Sequence, residues 1–232
     1  MPDSEFLTVL GLGLVLGLRH ALDTDHLVAV STVLARRPSL RASGLVGFSW
    51  GLGHTVVLLL VGTGVLVLRV QVPEPFALAA EFGVGAMLVL LGGMLGMRLL
   101  RERWHLHRHD HDGEQHMHLH SHALVENHRH GHWWRDSIRP FCIGMVHGLA
   151  GSAALLFVVL SSTQSVSAGL AYIAVFGLGS ILGMMLVGIT VSLPVLWSLS
   201  FGRPVFLAIQ GLASLGSVAV GLMMMFHIAV GS

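Results

Sequence analysis

Gly17-Leu18-Arg19-His20-Ala21-Leu22-Asp23-Thr24-Asp25-His26 lies inside an apolar segment that begins at Phe6 and runs past Leu27 to Leu34. A segment of that length crosses a bilayer, which needs about 20 mostly apolar residues. An Asp or Arg at the centre of a spanning helix costs roughly 2.5–3.5 kcal/mol on insertion scales. Arg19, Asp23 and Asp25 fall within seven positions, a cost that calls for a use. The competing reading is a loop between two short buried helices of a soluble protein. Composition decides between them: the chain of 232 residues is 53% hydrophobic and 11% charged. Soluble domains carry about 25% charged residues, and the mean hydropathy here is +0.76. The reading is an all-α integral membrane protein.

The remaining chemistry narrows the class. Lysine is absent and the net charge is +1, which points to no nucleic-acid partner. A lone cysteine, Cys142, excludes a disulfide framework and a two-thiol electron relay. The acidic start, Met1-Pro2-Asp3-Ser4-Glu5, lacks the positive region of a secretory signal, so the first span is expected to stay uncleaved. No GxxxxGK[ST] phosphate loop occurs. The expectation is no enzyme, no catalytic residue and no cofactor.

Hydropathy predicts six spans, at about Phe6–Leu34, Ser43–Leu68, Phe76–Leu100, Ile138–Leu160, Val166–Leu196 and Val205–Val230. The first and fifth are overlong, and a break or tilt is expected where Gly17 and Gly183 permit it. With alternating spans, one side carries Arg36, Arg37, Arg41, the seven arginines from Arg98 to Arg139, and Arg203; the other carries Arg69. That asymmetry places both termini outside and the loop after span three in the cytoplasm.

The two halves resemble each other. Gly17-Leu18-Arg19-His20-Ala21-Leu22 aligns with Gly144-Met145-Val146-His147-Gly148-Leu149, and Phe48-x-x-Gly51 with Phe176-x-x-Gly179. Gly83 and Gly93 match Gly211 and Gly221. Three spans per half make the repeats inverted, the plan of many secondary transporters with a midplane site. The expected organisation is a first three-helix repeat over 1–100, a loop over 101–137 and a second repeat over 138–232. The polar chemistry is not duplicated: Asp23, Thr24 and Asp25 face Ala150, Gly151 and Ser152 in the alignment.

The central loop holds eleven of sixteen histidines: His105, His107, His109, His111, His116, His118, His120, His122, His128, His130 and His132. Without an apolar set for a core it is expected to be disordered. Its neutral imidazoles would capture or buffer divalent ions at overlapping sites; the alternative is a solvated linker.

Imidazole suits nickel, cobalt, copper and zinc, while carboxylates suit harder ions. His20, Asp23, Asp25 and His26 offer a mixed set. On a regular helix Asp25 points away from the other three, so one ion reaches all four only if the helix opens. Salt bridging of Arg19 with Asp23 or Asp25 is the alternative use. His54, in Phe48-Ser49-Trp50-Gly51-Leu52-Gly53-His54-Thr55, offers a third imidazole or an interhelical hydrogen bond. His147 is either an interhelical contact or the far wall of a pathway. Glu81 is a candidate for proton handling or for pairing with Arg19, or an exposed boundary residue. Met223, Met224 and Met225 face three directions and read as lipid-facing or packing residues, and His227 as interfacial.

At these residues the chain resembles the nickel/cobalt transporter family of secondary permeases, marked by Arg-His-Ala-x-Asp-x-Asp-His in a membrane helix. Arg19 through His26 match it completely. Phe48 through Thr55 are similar to the family's Phe-x-x-Gly-His block, with Leu52-Gly53 inserted. His147 through Ser152 and Phe176 through Ser180 look like the short membrane proteins found near urease genes. The family's eight spans and later acidic motifs are absent. The resemblance implies a transporter of Ni²⁺, or Co²⁺, in the cytoplasmic membrane, with metal ligands at His20, Asp25 and His26, and at Asp23 and His54. Uptake is the favoured direction. Efflux, or a membrane accessory factor handing nickel to urease or another nickel enzyme through a maturation protein, are the alternatives.

Overall fold

The computed structural model describes residues 3–35, 39–70, 72–102, 107–111, 114–118, 133–162 and 165–231. Seven α-helices account for nearly all of it: α1 (Asp3–His20), α2 (Thr24–Leu34), α3 (Leu40–Leu68), α4 (Glu74–Glu102), α5 (Trp133–Ser162), α6 (Val166–Ser198) and α7 (Arg203–Gly231). Four of them, α3, α4, α6 and α7, are long and apolar enough to cross a membrane, and the pair α1–α2 makes a fifth span if counted as one bent by 53°. α5 falls where the fourth span is expected; its side chains beyond Gly151 lie outside the described residues.

Large apolar side chains cover the outer surface as well as the core. Leu60, Leu90, Leu186, Leu212, Leu215, Met223 and Phe226 point outward, whereas the interior holds thirteen buried polar side chains among the described residues. With lipid on the outside, helix association rests on close packing and interhelical hydrogen bonds rather than on burial of apolar faces. Small residues accordingly line the contacts. A Cβ on Gly144 would meet the carbonyl of Trp50, and one on Gly148 would lie 2.7 Å from the carbonyl of His54. Both numbers rise together, so α3 and α5 run parallel. Gly17 against Phe176 and Gly183 against Leu18 and Ala21 make α1 and α6 parallel in the same way. Gly47 meets Met184, Gly51 meets Ile181 and Gly177 meets Thr55; here one number falls as the other rises, and α3 and α6 are antiparallel. Gly85 and Gly221 approach each other's carbonyls, and Gly92 lies against Ser214, so α4 and α7 are antiparallel as well.

Hydroxyls tie the same seams. Thr55 donates to the carbonyl of Gly51 in its own helix and lies 3.1 Å from that of Gly177 in α6. Ser214 and Ser217 donate to the carbonyls of Gly92 and Leu88, each at 2.8 Å. Gln210 donates to the carbonyl of Ala35 at the end of α2, satisfying a group the helix leaves open.

Of the break or tilt expected in the overlong fifth segment, the break does not occur: α6 is continuous through Gly183, whose missing Cβ admits Leu18 and Ala21. The first segment does break, at Ala21–Asp23 rather than at Gly17, where the backbone of Phe176 occupies the space of a side chain. In the central loop, His107–His111 pairs antiparallel with Glu114–His118, with His107 opposite His118 and His109 opposite His116. His105, His120, His122, His128, His130 and His132 lie outside the described residues.

Candidate metal site

The break in the first span builds the site. α1 ends at His20 in a tight turn in which the amides of Leu22 and Asp23 donate to the carbonyls of Arg19 and His20, at 2.9 and 3.1 Å. Asp23 then adopts extended backbone (φ −61°, ψ 145°) and becomes the residue before α2. Asp is favoured at that position because its carboxylate can accept from the first-turn amides. Here it does not. It accepts instead from Nδ1–H of His20, at 2.8 Å. That bond fixes the His20 tautomer, since a carboxylate only accepts, and leaves the lone pair on Nε2 free to bind an ion. Restarting the helix after the turn places Asp25 in its first turn, where the positive end of the helix favours a carboxylate, and turns His26 inward.

His26, His54 and His147 are 1%, 0% and 2% exposed. Their imidazoles surround one another: ring centroids are 4.7 Å apart for His20–His26, 5.0 Å for His20–His54, 5.6 Å for His26–His54 and 4.6 Å for His26–His147. All six ring nitrogens of His26, His54 and His147 are buried without a hydrogen-bond partner. Asp25 stands beside them, its Oδ2 3.3 Å from His147 Nε2 and its Oδ1 3.8 Å from His26 Nδ1. Those approaches are attractive but not aligned as hydrogen bonds. A buried polar group left unpaired costs about 1–3 kcal/mol, so three such rings together mark a place made for something that takes nitrogen lone pairs.

Two sets of three donors emerge: His20, His26 and His54, and Asp25, His26 and His147, each with ligand atoms within 4.8 Å of one another. Metal–imidazole bonds of about 2.0–2.1 Å place tetrahedral ligand atoms roughly 3.4 Å apart. Side-chain movements on the order of 1 Å would therefore close either set on an ion. A Cβ on Gly151 would lie 3.5 Å from His20 and 4.0 Å from His54.

Of the residues singled out from sequence, His20, Asp25, His26, His54 and His147 fall in one neighbourhood. Asp23 joins neither set; its carboxylate is half-exposed and orients His20. The side chains facing the two aspartates are histidines, not Arg19, which is exposed. Glu81, His227 and Met223 are exposed and stand apart from the site. Sequence reasoning left two of its walls unassigned: Trp50, tilted 5.2 Å from His147 with its Nε1 buried and unpartnered, and Phe176, 5.6 Å from His20; Ser180, one turn on from Phe176, likewise has a buried Oγ without a partner. A signal was present, since all three sit in the small-residue blocks around Gly51 and Gly179.

Fold and site together define a multi-pass membrane protein with a buried histidine–carboxylate centre. Residues 77–194 match the family described as cytochrome C biogenesis protein transmembrane region, and the chain belongs to that family of membrane proteins. Its membership is also closer: it is 32% identical over 187 residues to the urease accessory protein UreH of Bacillus sp. (strain TB-90), covering 80% of this chain and 76% of the relative, and it belongs to the family of that accessory protein. No solved structure matches it.

Proposed function

We propose that this protein carries Ni²⁺, and Co²⁺ as a second substrate, across the prokaryotic cytoplasmic membrane by a rocking motion of two inverted three-helix repeats. The observation that carries the reading is the group of buried, unpaired imidazoles beside Asp25 at a broken span. Imidazole donors favour late first-row divalent ions over Mg²⁺ and Ca²⁺. His54 lies at the midpoint of α3 and His147 at the middle of α5, about 21 Å from either end at 1.5 Å per residue, which suits a midplane site. The nickel/cobalt transporter signature from Arg19 to His26 argues for the ion.

Packing directions support six crossings. If α1–α2 is the first and α5 the fourth, alternating spans require α1 parallel to α6, α3 parallel to α5, and antiparallel pairs α3/α6 and α4/α7, which is how the glycine contacts run. The contacts are also reciprocal: Gly17 on Phe176 answers Gly144 on Trp50, and Gly53 on Phe141 answers Gly179 on Leu14. This pairs Trp50 with Phe176, two residues away from the alignment of Phe48 with Phe176 that the sequence suggests.

Uptake suits an inside-negative potential, which is worth about 4.6 kcal/mol for a divalent ion per 100 mV. The cytoplasmic histidine loop would receive what arrives. Radioactive nickel entry into vesicles containing the purified protein tests the reading, with His26→Ala expected to abolish entry; equal entry through both proteins would refute it. The name of the UreH relative favours a second reading, a membrane factor passing nickel to a urease maturation protein without moving it across. That reading predicts that removing the loop stops urease activation in cells and that vesicles show no flux.

A further inference from the structure

We propose that the ion is held at two overlapping positions in turn, one in the His20, His26 and His54 set and one in the Asp25, His26 and His147 set, with His26 common to both. This rests on the transport reading above and specifies how the site would pass its cargo between the halves. Two ligands on one ion are at most about 4.2 Å apart at metal–imidazole distances of 2.1 Å. Among the described residues, no three-donor set joins His147 to His20 or His54. One ion therefore takes one set or the other. His26 belongs to each, and no hydrogen bond anchors its ring, so the ring can turn with one nitrogen kept on the ion while the remaining ligands change.

The surroundings of the two positions are reciprocal. His20 packs on Phe176 of α6, with centroids 5.6 Å apart, and His147 packs on Trp50 of α3, at 5.2 Å. Each half thus sets one histidine against an aromatic ring of the other half's second helix. The glycine contacts pair Gly53 with Gly179, so the residue answering His54 is Ser180, whose buried Oγ lacks a partner. Equivalent walls hold unequal donors: three nitrogens on one side, two nitrogens and a carboxylate on the other. The first position prefers the softer ion and the second tolerates a harder one. Discrimination would then be made at the first and release eased at the second.

The test uses Co²⁺ as a spectroscopic probe with the full 232-residue chain, its eleven loop histidines replaced by serine so that only the membrane site reports. The expected result is one Co²⁺ per chain, retained by His54→Gln and by His147→Gln with different visible spectra, and lost in His26→Gln. Asp25→Asn added to His54→Gln should alter the spectrum, and added to His147→Gln should not, a comparison that also separates loss of a ligand from loss of fold. Nickel flux through the chain with its native loop should fall at least tenfold in either single variant. Identical spectra for His54→Gln and His147→Gln, or Co²⁺ retained by His26→Gln, would overturn the two positions. Nickel flux in the unsubstituted chain with only one spectrum leaves transport standing and removes the handover; two spectra without flux leave two binding positions but overturn transport, and the handover with it.

Discussion

Replacing Asp23 should weaken the site without touching a ligand. The carboxylate accepts from His20 Nδ1–H at 2.8 Å, is half-exposed, and belongs to neither set of donors. Its loss frees the imidazole to rotate and to take the other tautomer, which removes Nε2 from the set it shares with His26 and His54. Partners of this kind are typically worth 10–100-fold in metal affinity, or about 1.4–2.7 kcal/mol. Asp23→Ala should therefore raise the nickel concentration that half-saturates flux by that factor. Asp23→Asn keeps an oxygen acceptor but not the charge, and charge-assisted bonds are roughly twice as strong as neutral ones, so its effect should be smaller, about 3–10-fold. Because the carboxylate is half-exposed and contributes little packing, both variants should melt in detergent within about 0.5 kcal/mol of the parent, as surface changes do. The assay is nickel entry into vesicles over a range of concentrations. If Asp23→Ala matched the parent while Asp25→Ala lost transport, Asp23 would have no orienting role.

Three further outcomes follow from the packing and the loop. Gly144→Ala sets a Cβ against the carbonyl of Trp50 and should destabilise by about 1–3 kcal/mol, whereas Gly211→Ala meets nothing within 4 Å and should be neutral or better; thermal unfolding in detergent compares them. Ser217→Ala removes the bond to Leu88 and should cost about 0.6 kcal/mol, the mean for such bonds in membrane helices, by the same measurement. Serine at the eleven loop histidines should lower the metal bound per chain at equilibrium while initial nickel flux stays within twofold; lost flux would place the loop in the pathway.

Some of this was legible in the chain and some was not, for physical reasons. Charges inside an apolar segment stand out because lipid makes them costly, and that alone drew attention to His20, Asp23, Asp25 and His26. Where the helix would break was not legible. Glycine suggested Gly17, but in a lipid-surrounded bundle a glycine equally marks where another backbone passes, and Phe176 passes there. The break falls instead at Ala21–Asp23, held open by the His20–Asp23 bond, a local competition that hydropathy does not register. His147 was visible through its match to His20, yet its nearness to Asp25 depends on α5 lying parallel to α3, which no spacing encodes. Trp50 and Ser180 escaped because an aromatic ring and a small hydroxyl are ordinary packing residues until the surrounding histidines are in place.

The most direct test is to locate the ion. Crystals of the full chain loaded with Ni²⁺ and measured at the nickel absorption edge should show an anomalous peak at about 2.1 Å from a ring nitrogen of His26, between the rings of His20 and His54 or beside Asp25 and His147. Nickel found on the histidine loop alone, with no peak near His26 at saturating concentration, would contradict the account.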